Sequence, residues 1–166
     1  MDYVIAVLEL QYAKSLKMLS ETISHYDESL WLDSRSYDSP AWQIVYHVLF
    51  YANIYCSPRE DRIRNWVKSR DRLHRFVGTS SALPKEQIVV NPYPQADMLE
   101  FLDFVSRNVP EYLSEMRPQE RCWPSWYDET QLEFQLNNLR HIQHHVGQAI
   151  ERHNTFKPFD YEWYGE

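Results

Sequence analysis

The stretch Ser39-Pro40-Ala41-Trp42-Gln43-Ile44-Val45-Tyr46-His47-Val48-Leu49-Phe50 decides the fold. Ser39 suits a helix N-cap and Pro40 the first helical position, where its missing N–H is no loss. Ala41, Ile44, Val45, Val48, Leu49 and Ala52 then recur at three- and four-residue steps, the period of an amphipathic helix. That helix is expected to stop before Ser57-Pro58. Working outward, the same period returns three times. Val4, Leu8, Tyr12 or Ala13, Leu16, Leu19 and Ile23 mark a first helix from about Asp2 to Leu30. Met98, Leu99, Leu102, Val105, Val109 and Leu113 mark a third over roughly Gln95 to Met116, with Pro110 expected to kink or break it. The fourth starts at an Asp128 or Thr130 cap and runs to about His153.

The segment Arg59 to Arg75 fits a short helix only loosely. Gly78 to Pro94 holds three of the nine prolines and reads as a long crossover. Thr155 to Glu166 is aromatic and acidic and is expected on the surface. With no internal repeat or linker, these elements predict one all-α domain over residues 1–166. Its architecture is a four-helix bundle with a long crossover between helices 2 and 3.

Composition removes several functions. The chain has 166 residues, enough for a sizeable core, and its 6 Trp, 12 Tyr and 7 Phe exclude a disordered polymer. The 3 glycines, Gly78, Gly147 and Gly165, permit neither GxGxxG nor a P-loop. A net charge of −7 argues against nucleic acid, and acidic residues dilute even the basic Arg59–Arg75 stretch. No run of apolar residues is long enough to span a membrane. Met1-Asp2-Tyr3-Val4-Ile5 has no basic run ahead of an apolar one, so no secretory signal is expected. Cys56 and Cys122 form no CxxC and read as packed, reduced thiols of a cytoplasmic protein.

The candidate chemistry is in the histidines. Arg140-His141-Ile142-Gln143-His144-His145-Val146-Gly147-Gln148 places His141 and His145 four apart, on one helix face. Two imidazoles so placed supply half of a tetrahedral shell for a divalent metal. His144 is rotated by about 100° and cannot easily join them. A third ligand must come from another helix, and His47, inside the most apolar stretch, is the best candidate. Plainer roles stand beside these: a hydrogen-bonded core histidine for His47, a solvated face for the pair. Leu132, Leu136, Leu139, Val146 and Ile150 form one stripe nearly opposite His141 and His145. On this reading the stripe packs on neighbours or a second subunit, while the histidines face a polar cavity or solvent.

Other polar groups read as caps or surface. Asp128 and Glu129 start the last helix too far from His141, and Glu133 is rotated from it by about 80°. Asn137, Asn138 and Gln148 border the histidine face but do not titrate. Trp123, Trp126 and Tyr127 pack, or wall a pocket beside the last helix.

Taken together, the amphipathic first helix, Ser39-Pro40-Ala41-Trp42-Gln43-Ile44-Val45-Tyr46-His47 and His141-Ile142-Gln143-His144-His145-Val146-Gly147-Gln148 resemble the DinB-like (DinB/YfiT) superfamily of small metalloproteins over nearly the whole chain. The resemblance implies a four-helix bundle of that type with His47, His141 and His145 as the metal triad and water at the open position. Val146 stands where that family usually has arginine, which leaves this chain without whatever that arginine does. The resemblance also implies a homodimer, and for some members a thiol-dependent transferase or isomerase using a low-molecular-weight thiol.

Two functions follow. One is a metal-dependent transferase or hydrolase acting on a small molecule, with zinc or nickel ahead of iron or manganese as the ion. The other is a non-catalytic dimeric, stress-associated or structural protein whose metal is structural or lacking. No GxSxG or HExxH pattern offers a separate catalytic route.

Overall fold

A computed structural model describes residues 2–164. Met1, Gly165 and Glu166, the ends of the expected domain, lie outside the described residues. The chain is all-helical, with α1 (Asp2–His25), α2 (Glu28–Trp31), α3 (Ala41–Cys56), α4 (Lys85–Val89), α5 (Gln95–Ser114) and α6 (Gln131–Phe156). A single antiparallel bridge, Arg121 to Thr130, is the only sheet-like pairing among the described residues. Of the four long helices, α1 packs on α5 and α6, and α3 packs on the same two.

The expected first helix to Leu30 is interrupted. The Asp27 side chain accepts from Leu30 N at 3.0 Å and caps a new short helix, which turns Trp31 into the core. α3 begins one residue later than expected, because Pro40 itself is the extended N-cap. Its carbonyl accepts from Gln43 N and Ile44 N. Apart from half-buried His47, Phe50, Tyr51, Ile54 and Tyr55, the residues of α3 are buried. An all-round apolar helix takes such a central place.

The expected short helix across Arg59–Arg75 does not form beyond a 3-10 turn at Glu60–Arg62. Its long cations reach acceptors elsewhere instead: Lys68 to Asp97, Arg70 to Asn91 O, and Arg72 to Ser81 O and Ala82 O. Arg72 also has φ +64°, incompatible with a helix there. The long connection between α3 and α5 is present but contains α4. Trp66, Leu73, Ile88 and Tyr93 bury themselves and anchor it, Trp66 stacking on Phe101 at 4.5 Å.

Pro110 does not break α5. Its ring is exposed, while Val109, Tyr112 and Leu113 are buried on the other side and hold the last turns in place. α6 starts with a capping box, Thr130 with Glu133, and runs past His153 to Phe156.

The buried face of α6 is not the aliphatic stripe. Phe134, Gln135, Asn138, Ile142, His145, Val146 and Ala149 face inward, while Leu136 is half exposed and Leu132, Leu139 and Ile150 are only partly covered. The polar members are held by hydrogen bonds across the core. Tyr12 Oη donates to Gln135 Oε1 at 2.6 Å and accepts from Asn138 Nδ2 at 2.8 Å. Asn138 Nδ2 also donates to Ala52 O, and Gln135 Nε2 to Tyr55 O. With these partners, burying the amides is favourable enough to rotate the helix away from its greasiest side.

Candidate metal centre

α3 and α6 lie side by side, and their registers bring three imidazoles together. The ring of His47 lies 5.0 Å from that of His141 and 4.6 Å from that of His145, with 4.8 Å between the last two. One ligand atom from each lies within 4.8 Å of the others. The three residues singled out by sequence therefore converge, and His144, exposed, stays outside the group with its ring 4.8 Å from that of His145.

For His47 and His145, hydrogen bonds to the outer nitrogen leave Nε2 facing inward. His47 Nδ1 lies 2.6 Å from the carbonyl oxygen of His74, which can only accept, so Nδ1 carries the proton and Nε2 is a bare lone pair. His145 Nδ1 donates to Gln148 Oε1 at 2.8 Å, freeing its Nε2 in the same way. His141 Nδ1 is buried and has no partner, and its Nε2, 2.9 Å from the bare His47 Nε2, carries the proton and donates to it; a bound metal would take that proton's place.

Burial keeps the imidazoles neutral. It pushes His47 down to about 3 and His141 to about 4, and lowers His145, whose bond to Gln148 opposes the shift. Neutral imidazole is the ligating form, so protons compete weakly for these lone pairs near neutrality. The donor set, the inward lone pairs and the tied-back Nδ1 atoms of His47 and His145 together fit a divalent metal. His47, His141 and His145 would hold it.

The surrounding wall is aromatic. Phe76 stacks on His47 at 4.2 Å and meets His145 edge-on at 5.4 Å. Tyr51 meets His47 and His141 edge-on, Tyr55 lies 6.4 Å from His141, and Tyr55 Oη is 3.4 Å from Tyr127 Oη. Tyr127 thus reaches this wall, whereas Trp126 is 73% exposed and Trp123 touches Trp126.

Other flagged residues lie elsewhere. Glu133 closes the capping box, Asp128 pairs with Arg121, and Asn137 accepts from Arg140. Asn138 belongs to the Tyr12 network. The Cys56 and Cys122 thiols are buried and pushed upward by that burial.

Three contributors were missed: Gln43, His74 and Phe76. Gln43 Nε2 donates to Leu73 O and Arg75 O, clamping the peptide whose His74 carbonyl meets His47. An amide one turn before His47 in an otherwise apolar run was the one legible signal. The roles of His74 and Phe76 depend on how residues 70–77 fold back, which no local pattern encodes.

Compared with protein-family models, curated proteins and solved structures, the chain matches none. No described helix is long and apolar enough to cross a membrane.

Proposed function

We propose that the chain is a divalent-metal-binding protein of DinB-like (DinB/YfiT) type, with its four long helices forming that family's bundle. On this reading its metal serves a transferase or hydrolase reaction on a small molecule, with a low-molecular-weight thiol as co-substrate. The observation that carries this is the convergence of His47, His141 and His145, with the Nδ1 atoms of His47 and His145 tied back. The pairing of both α1 and α3 with α5 and α6 supports the bundle. Zinc or nickel suits three imidazoles, and iron or manganese uses the same donors. When bound, such an ion supplies Lewis acidity and lowers the pKa of a coordinated water or thiol. The chain's own part is to hold neutral lone pairs on one point and to wall that point with Phe76, Tyr51 and Tyr55.

Element analysis of protein purified without chelator, beside His47→Ala, His141→Ala and His145→Ala, tests the site. One equivalent of metal in the parent and loss in each variant is expected. Unchanged metal content in all three would refute it.

A second reading is a non-catalytic homodimer with a structural metal or none. It is favoured by two observations among the described residues. No carboxylate joins the triad, and α1 exposes Tyr3, Val7 and Leu10 along one stripe, with Leu136 of α6 half exposed. Stripping the metal separates the two readings. An enzyme stays folded and loses turnover, whereas a structural site lowers the melting temperature by many degrees. Nucleic acid is no part of either reading, since Arg62, Arg64 and Lys68 of the basic stretch pair with Glu115, Glu111, Asp97 and Glu100. A cytoplasmic setting accords with two free thiols.

A further inference from the structure

A row of aromatic rings leads from the triad to the surface. The ring of Tyr51 lies 5.5 Å from that of His141 and 5.0 Å from that of Tyr55. Tyr55 is 6.1 Å from Tyr127, and Tyr127 is 6.3 Å from Trp126. Tyr51, Tyr55 and Tyr127 are half-buried, so each keeps part of its surface open to solvent. Trp126 is 73% exposed, in a turn closed by Tyr127 N donating to Pro124 O at 2.9 Å. Cys122 N donates to Glu129 O at 3.1 Å and ties the base of the same loop, which holds the indole outside the core. An exposed indole continuous with half-buried rings is apolar surface of the kind that takes a partner.

The row is also uncharged. What perturbs the Tyr55 phenol is burial, then Tyr127 and Tyr51, with no ionic side chain among them. Burial pushes Tyr51 and Tyr55 up, so both are neutral phenols near neutrality. The charge that reaches Tyr51 is cationic, from Arg75. A cation seated on these rings would face that guanidinium, so the row does not suit an ammonium group. Neutral rings of this kind favour another ring, in offset or edge-on contact. We propose that the metal site takes a substrate with a flat, uncharged aromatic body, which lies along Tyr51, Tyr55 and Tyr127 with Trp126 at its outer end. This rests on the metal-site reading above and adds the substrate class to it.

The test uses the full chain loaded with cobalt(II), whose visible absorption reports ligand binding. Three probes share one neutral head group: 4-methylimidazole, 4-cyclohexylimidazole and 4-phenylimidazole, titrated at a pH where all are unprotonated. The phenyl probe should bind about 3- to 10-fold more tightly than the cyclohexyl one, which has similar bulk and no π-face. The methyl probe should bind most weakly. Phenyl no tighter than cyclohexyl, or loaded cobalt that ignores all three, overturns the proposal and leaves the metal site standing. Failure to take up cobalt overturns both. Tyr127→Leu keeps apolar bulk and removes one ring, and Trp126→Ala changes an exposed side chain that the fold does not need. In either variant the phenyl-to-cyclohexyl ratio should fall toward one while cobalt content stays as in the parent. The parent's ratio in both variants would also overturn the proposal.

Discussion

His47 Nδ1 and the carbonyl oxygen of His74 stand 2.6 Å apart, so a backbone group 27 positions along the chain determines which nitrogen of His47 is free. That carbonyl is itself held by the Gln43 amide, which bonds to the carbonyls on either side of it. Gln43→Met keeps the side-chain length and removes both donors. Metal affinity should fall about 10- to 100-fold, as for other lost outer-shell contacts, measured by competition with a chromogenic chelator. Stability should fall by about 1–3 kcal/mol. His74→Ala, which leaves the carbonyl in place, should hold its metal nearly as well as the parent. Equal losses in the two variants would show that the clamp does not act through the backbone.

The depressed histidines make the metal-free chain acid-sensitive. Above pH 6.5 both folded and unfolded states carry neutral imidazoles, and these residues contribute no pH dependence. Below it the unfolded chain takes up protons that the folded chain refuses until about pH 4 at His141 and about pH 3 at His47. The unfolded state therefore binds more protons, and stability is lost as pH falls through this window. Each such histidine contributes a slope of about 1.4 kcal/mol per pH unit there. Urea titrations of metal-free protein between pH 7 and 4.5 should show His47→Gln losing stability less steeply than the parent. Parallel profiles would mean that His47 is not held neutral by burial.

Tyr12 joins α1 to α6 through one hydroxyl that donates to Gln135 and accepts from Asn138. Tyr12→Phe removes the hydroxyl alone, leaving Gln135 Oε1 buried without its donor. A loss of about 1–3 kcal/mol is expected. For a chain of this size each kcal/mol lowers the melting temperature by about 2–4 °C, which calorimetry resolves. A melting temperature unchanged from the parent would mean that water replaces the hydroxyl.

The same network shows where sequence reading stops. His47 was legible because a lone imidazole in an apolar run needs a partner, and His141 with His145 because their spacing sets a shared face. The orientation of α6 was not. Its hydropathy points Leu132, Leu136 and Leu139 inward, yet Gln135 and Asn138 are buried, with Gln135 Oε1 and Asn138 Nδ2 both bonded to the Tyr12 hydroxyl more than 120 residues away. A polar side chain's burial depends on partners that periodicity cannot name. Pro110 misled differently. The break it threatens is local, and it is outweighed by the burial of Val109, Tyr112 and Leu113 around it.

The helix that carries His141 and His145 starts with a capping box, Thr130 with Glu133. Thr130 Oγ1 accepts from Glu133 N at 3.3 Å, and Glu133 Oε2 accepts from Thr130 N at 2.8 Å, so two otherwise orphaned donors are met reciprocally. Thr130→Ala removes one half of this exchange and should lower stability by about 1 kcal/mol. His141 lies eleven residues beyond the cap, about three turns in, and the buried Phe134, Gln135 and Asn138 hold the helix between them. Metal affinity should therefore be unchanged in Thr130→Ala while the melting temperature falls by about 2–4 °C. A parallel drop in metal affinity would show that the triad's register depends on the cap and not on the packing of α6 against α3.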